Sequence, residues 1–201
     1  MPDEEDLTLL ARCRAGDRAA FAVFVRRHQG AVLRLCRALT SSAADAEDAA
    51  QETFVQVWRA LSSTDGDKRG DAPVKAWLLT IARHAAWRRH RRRVGEPTHT
   101  DGLEAVDAAP VAWGALGEAA GWGQDPEARA AAVEKKACVQ QALQRLSESD
   151  REVIVMRDVL GLSGDEAARA LGLSLAAEKS RLHRARLALM AHLGACREVQ
   201  S

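Results

Sequence analysis

The chain of 201 residues contains no tyrosine, three phenylalanines and five tryptophans. It has no run of alternating β-branched residues, which argues against a sheet-built core. Cys13, Cys36, Cys138 and Cys196 form no C-x-x-C pair, so neither a zinc ribbon nor a thioredoxin-type redox motif is present. Four scattered cysteines fit reduced thiols inside a cell. No apolar run approaches a membrane span, and the start "MPDEEDLTLL" is acidic, unlike a signal peptide. These absences lead to the expectation of a soluble, cytoplasmic protein with no membrane insertion.

What is abundant is alanine, leucine and arginine, all good helix formers. The fold class expected is therefore all-α. The length suits one large or two small domains. Phe21, Phe24, Val25, His28, Val32, Leu35 and Leu39 recur at spacings of three and four, with a break expected near Gln29 and Gly30. Ala50, Phe54, Val57 and Leu61 form a second apolar stripe. The stretch "SSTDGDKRGDAP" reads as a loop, with Pro73 placed to open the next helix.

From Val94 to Glu127 the composition changes, with seven acidic residues, three prolines and not one lysine or arginine. Such a segment reads as a flexible, solvated linker. Helical patterning resumes beyond it. Two small helical domains are expected, 6–93 and 128–193, joined by the acidic segment 94–127.

Net charge is only +1, with 29 basic and 28 acidic residues, but the charges are segregated along the chain. Local fields therefore decide the partners. In "DEAARALGLSLAAEKSRL", Gly172 suits the left-handed residue that ends a helix, and Ser174 suits the cap of the next. Two helices joined by so tight a turn form a helix-turn-helix, whose second helix can enter the DNA major groove. That helix offers Ser174, Lys179, Ser180, Arg181 and Arg184. The alternative is a basic solvated face, but cations crowd the first half, where the helix dipole disfavours them. DNA binding is the favoured reading. Glu178 falls on the inner stripe Leu175, Glu178, Leu182, Ala185 and Leu189. It reads either as a tolerated, snorkelling edge residue or as a carboxylate that accepts from a cytosine amino group.

"IARHAAWRRHRRR", from Ile81 to Arg93, holds six arginines and two histidines. Such a helix repels itself unless an anion neutralises it, which favours nucleic acid. Trp77 continues an apolar helix and reads as core. Trp87 lies among the arginines and reads either as core or as a ring that stacks on unpaired bases. In "DAEDAAQETFVQVWRAL", Asp45, Asp48 and Glu52 share one face alongside Gln51. No histidine or cysteine lies near them in sequence, so metal or acid–base work is disfavoured. A protein-docking surface and an ordinary solvated acidic face both fit.

In this order, the pieces resemble a bacterial RNA polymerase sigma factor of the extracytoplasmic-function (ECF, group IV) family over nearly the whole chain. "AGDRAAFAVFVRRHQGAVLRLCRAL" is similar to the start of sigma region 2. "DAEDAAQETFVQVWRAL" is similar to the segment that docks on the clamp helices of the largest polymerase subunit. "VKAWLLTIARHAAWRRHRRR" resembles the part that melts and captures the −10 element. "LQRLSESDREVIVMRDVLGLSGDEAARALGLSLAAEKSRLHRARLAL" resembles sigma region 4, which reads the −35 element.

The resemblance implies that Asp45, Asp48, Gln51 and Glu52 recruit core polymerase. It gives Arg83, His84, Trp87, Arg88, Arg91 and Arg92 to the −10 region, and Ser174, Lys179, Ser180, Arg181 and Arg184 to the −35 element. Implied partners are core polymerase (its two largest subunits), promoter DNA and an anti-sigma factor, with no cofactor and no catalysis. The chain departs from the family at Ala177 (often threonine), at Glu178 (usually apolar), and at His84 and Arg88 (commonly Asn and Asp).

Two other classes compete. A free-standing helix-turn-helix regulator explains the C-terminal part but gives the acidic helix and the arginine run no shared purpose. A metalloenzyme has only His192 and Cys196 at i, i+4, with no third ligand in pattern. The acidic segment is expected to pass near the polymerase active-site cleft, where a chain without cations suits a channel built for nucleic acid. Replacing Asp101, Glu104 and Asp107 with lysine should then alter abortive synthesis or promoter escape in transcription assays. An unchanged transcript profile would contradict that expectation.

Overall fold

The computed structural model of the protein describes residues 2–62, 71–95 and 137–198, with side chains for 4–62, 71–89 and 137–194. All regular structure among them is helical. Apart from Val94 and Gly95, which end a helix, the expected acidic linker 94–127 lies outside the described residues, as does the side chain of Cys196.

Helix α1 (Pro2–Arg14) leads into α2 (Arg18–Leu39), where Asp17 caps the start by accepting the Ala20 N–H at 3.0 Å. The residues Phe24, His28, Val32, Leu35 and Leu39 of α2 are buried as the spacing predicts. The helix runs unbroken through Gln29 and Gly30, where a break was expected. Full burial of side chains such as Phe24 and Leu35 is worth about 2–3 kcal/mol each. That outweighs the ~1 kcal/mol that one glycine costs a helix. Asp6 ties α1 to α2, accepting from Arg27 at 2.8 Å and lying 2.9 Å from Nε2 of the buried His28.

Helix α3 (Ala43–Ser62) starts with a reciprocal cap. The Ser42 hydroxyl donates to Asp45 at 2.6 Å and accepts the Asp45 N–H at 3.1 Å. The first half of its inner face is alanine, Ala46, Ala49 and Ala50, which lets α2 and α4 lie close. Helix α4 (Val74–Gly95) follows Pro73, whose carbonyl accepts the Trp77 N–H at 3.0 Å. Leu78, Leu79, Ala82, Ala85 and Ala86 are buried, and Trp77 packs partly buried against the same core.

The C-terminal group comprises α5 (residues 137–144), α6 (Glu148–Ile154), α7 (Gly164–Leu171) and α8 (Leu175–Glu198). Helix α6 runs into a π turn over Val155–Val159. Ser163 and Glu166 form a full capping box at the start of α7. Gly172 adopts the left-handed conformation at φ 67°, and the Leu173 N–H returns to the Ala168 carbonyl at 2.8 Å. Ser174 then accepts the Ala177 N–H at 3.2 Å. The helix-turn-helix therefore forms as its turn residues predict.

The two groups pack against each other, α4 on α7 and α2 on α6. Lys75 Nζ donates to the Leu160 carbonyl at 2.5 Å. Buried Arg151 gathers the carbonyls of Leu143, Gln144 and Leu146 and reaches across to that of Ala38 at 3.3 Å. Cys13 and Cys36 are free and buried, and burial pushes the Cys36 thiol up to about 12. Cys138 is disulfide-bonded, which corrects the expectation of reduced thiols throughout. Sequence spacing cannot show which thiols a fold brings within bonding reach.

Gly30, inside α2, and Gly172, just past the end of α7, should respond oppositely to alanine. Gly172→Ala places a Cβ in the left-handed region and should cost roughly 1–2 kcal/mol in urea denaturation. Gly30→Ala should stabilise by up to about 1 kcal/mol, because only Arg34 Nη1, at 3.9 Å, approaches the added Cβ. A loss of stability at position 30 would contradict the continuous α2 helix.

Candidate nucleic-acid and docking interfaces

The acidic face of α3 divides between two neighbours. Asp45 is half-buried and engaged in the helix cap with Ser42. Asp48 pairs with Arg89 of α4 at 2.9 Å. Glu52 accepts from Gln56 at 2.7 Å and lines a small recess with Ala85, Arg88 and Arg89. Only Gln51, exposed, turns the other way, toward a groove of about 440 Å³ between α2 and α3. Val25, Leu33, Ala50 and Phe54 contribute its apolar surfaces, with Glu47 beside Gln51. The sequence reading missed Glu47 and the groove, because the groove exists only where α2 and α3 meet.

On α4 the expected −10 residues are not equally available. His84 and Arg88 are exposed. Trp87 is half-buried, with the Arg83 guanidinium 5.1 Å from its ring centroid, a cation–π contact. Arg83 also donates to His84 Nε2 at 3.1 Å, and its side chain is only 12% exposed. It lies 3.7 Å from Glu152 of α6, across the junction between the two helical groups. The backbone of Arg91 and Arg92 belongs to α4, while their side chains lie outside the described residues.

On α8, Lys179, Ser180 and Arg184 are exposed on one outward face. Ser174 is exposed and occupied as the cap. Arg181 is half-buried and near enough to Glu152 to lower that group's pKa. His183, four residues after Lys179, is exposed on the same outward face. Helical spacing from Lys179 was the signal that could have found it. Glu178 is fully buried against Arg157 at 3.0 Å, so it neither snorkels nor leans out toward a base.

Glu152 stands between an arginine of each cationic helix. Burial is the main cause that raises its pKa from 4.5 to about 7, with Glu148 adding to the rise and Arg83 and Arg181 opposing it. Low-dielectric surroundings disfavour the charged carboxylate more than its cations restore it.

Fold and faces together define a helical protein with two cationic helices and a separate, largely apolar groove. Sequence comparison places the same class in a family. Sigma-70 region 2 matches residues 24–95 and Sigma-70, region 4 matches residues 136–189. The sigma factor CnrH of Cupriavidus metallidurans is 35% identical over 195 residues, covering 96% of this chain and 97% of that protein. The ECF sigma factor SigM of Mycobacterium tuberculosis is 36% identical over 192 residues, covering 96% and 86%.

Among solved structures, CnrH bound to the cytosolic domain of CnrY aligns with a TM-score of 0.66 at 30% identity, covering 95% of this chain and 98% of that one. RpoE of Bartonella quintana, solved with the anti-sigma factor NepR, shares the fold with a TM-score of 0.59 at 23% identity, over 87% and 96%. The chain belongs to the ECF family of RNA polymerase sigma factors, and it directs transcription initiation as a non-enzymatic polymerase subunit. Membership of that family sets aside the free-standing regulator and the metalloenzyme. No helix among the described residues is long and apolar enough to cross a membrane.

Glu152 makes the stability of this arrangement pH-dependent. Its folded pKa lies above its unfolded one, so its stabilising contribution is present below about pH 4.5 and is lost as pH rises through about 7. Glu152→Gln should remove that loss. Wild type should fall behind the variant by about 3 kcal/mol between pH 5 and pH 8 in chemical denaturation. Parallel stability curves for the two proteins across that range would refute the buried placement.

Proposed function

We propose that the α2–α3 groove, with Gln51 and Glu47 at its edge, is the face this sigma factor presents to the clamp of the largest polymerase subunit. An apolar cleft with polar groups at its side suits a partner helix. Asp48 and Glu52 serve that surface indirectly. They hold Arg89 and flank Arg88, so that α4 keeps its register beside the docking face.

His84, Arg88, Arg91 and Arg92 take the −10 region, with Trp87 as the stacking ring. Lys179, Ser180 and Arg184 take the −35 element, joined by His183. The observation that carries this reading is the outward face of α8, cationic in its first half and set behind the Gly172–Ser174 turn. Arg83 and Arg181 face Glu152 in the packed arrangement. They are released for DNA when the two domains separate on polymerase. The domains are 6–93 and 128–193, and the acidic segment 94–127 lets them part while both stay on one enzyme. Tethering gives two modest readers a high effective concentration at fixed spacing.

CnrH is known bound to the cytosolic domain of CnrY, and RpoE to an anti-sigma factor. This chain is held by an anti-sigma partner of its own, and the α2–α3 groove is the surface for which that partner and core polymerase compete.

Reconstitution with core polymerase tests the reading. Specific initiation from a randomised promoter library should require this protein. Lys179→Ala and Arg184→Ala should each reduce use of selected promoters about 10- to 100-fold, the loss of one base or phosphate contact. Tight duplex binding without core, or full activity of both variants, would overturn it.

A further inference from the structure

The inner face of α8 carries a charge network that no DNA contact requires. Glu178 is 0% exposed, and its Oε1 lies 3.0 Å from Nε of Arg157 in the π turn. The same guanidinium donates through Nη1 to the Leu162 carbonyl, in the link between the π turn and α7. On its other side the carboxylate meets the start of α7. A Cβ added at Gly164 would stand 3.6 Å from Glu178 Oε2 and 3.0 Å from Leu175 Cδ1, so the helices cross there at a spacing that suits glycine. Glu178, on the helix after the Gly172 turn, thus meets two elements that precede it, the π turn and the start of α7.

A second pair lies beside the first. Arg186 donates to both oxygens of Asp158, at 3.0 and 2.5 Å. Asp158 follows Arg157 in the π turn, and Arg186 lies two helical turns beyond Glu178 on α8. A π turn packs one more residue into its loop than an α-helix does, which re-aims the side chains it carries. Two adjacent residues of that turn therefore hold α8 at two points along its length. Two points fix both the rotation of a helix about its axis and its position along it.

We propose that Arg157 is a positioning residue for −35 recognition. Through Glu178 it sets the rotation at which α8 presents Lys179, Ser180, His183 and Arg184. The base preference of the protein thus depends on a pair that lies on the side of the helix away from its reading face. This rests on the reading that α8 meets the −35 element. A buried carboxylate left without its cation is strongly destabilising, whereas an apolar pair of similar volume is often tolerated. Stability and preference can therefore be separated.

The test uses holoenzyme reconstituted from core polymerase, with promoters selected from a library randomised at both elements. Arg157→Met and Glu178→Leu should each lower the melting temperature, and the double variant should recover it. The double variant should nevertheless select an altered −35 sequence, with discrimination at the affected bases reduced about tenfold and −10 selection unchanged. Arg157→Lys supplies a control that keeps the charge. Lysine cannot reach both Glu178 and the Leu162 carbonyl as the planar guanidinium does, so this variant should remain folded yet relax −35 preference.

Wild-type −35 selection by Arg157→Lys, or by a double variant of recovered stability, would show the pair to be structural only and overturn the proposal. If Lys179→Ala and Arg184→Ala leave −35 selection intact, the assignment of α8 to the −35 element falls and the proposal falls with it. Loss of selection in those two variants alone, with wild-type selection in the Arg157 variants, overturns only the proposal.

Discussion

Arginines crowded onto one helix repel one another, and this chain must hold them in place before any DNA arrives to neutralise them. Carboxylates on neighbouring helices do so. Asp48 of α3 holds Arg89, Glu152 of α6 lies against Arg83, and Asp158 holds Arg186. The partly exposed pairs contribute little to stability, on the order of 0–1 kcal/mol each. Their consequence is geometric, because they decide which cations face outward and which do not.

That division matters for a sigma factor. His84 and Arg88 remain exposed on α4, and Lys179, Ser180 and Arg184 on α8. Arg83 and Arg181 are drawn toward one buried carboxylate between the two helical groups. In that arrangement each cationic helix has an arginine turned inward by the same group. Because Glu152 loses much of its favourable hydration on burial, the junction also carries a standing cost, greatest when the carboxylate is charged. A junction of this kind can be opened by a partner that binds both domains in separate positions.

Much of this was legible in the residues themselves. The three- and four-residue spacing from Phe24 to Leu39 specified a buried helix face, and Gly172 and Ser174 specified the turn before α8. Each is a local rule in which backbone conformation, or one face of a helix, is settled within a few residues. What the residues alone did not show was of another kind. Gly30 sits inside an unbroken helix because packing on both sides overrides a local preference. Asp45 serves a helix cap that needed Ser42 to be recognised as its partner. Glu178 is a buried ion-pair member because Arg157 reaches it from another element.

The sequence by itself determined that the chain is helical, that its cations gather on two helices, and that one of them follows a glycine turn. It also carried the resemblance to the family to which the chain belongs. Only the tertiary structure decided how those charges are used. It assigned Asp48 to Arg89, opened a groove beside Gln51, buried Glu152 between two arginines and closed Arg157 over Glu178. The reason is one of range. Helix formation and capping depend on neighbours within about four residues, whereas burial and charge pairing depend on which distant helices meet.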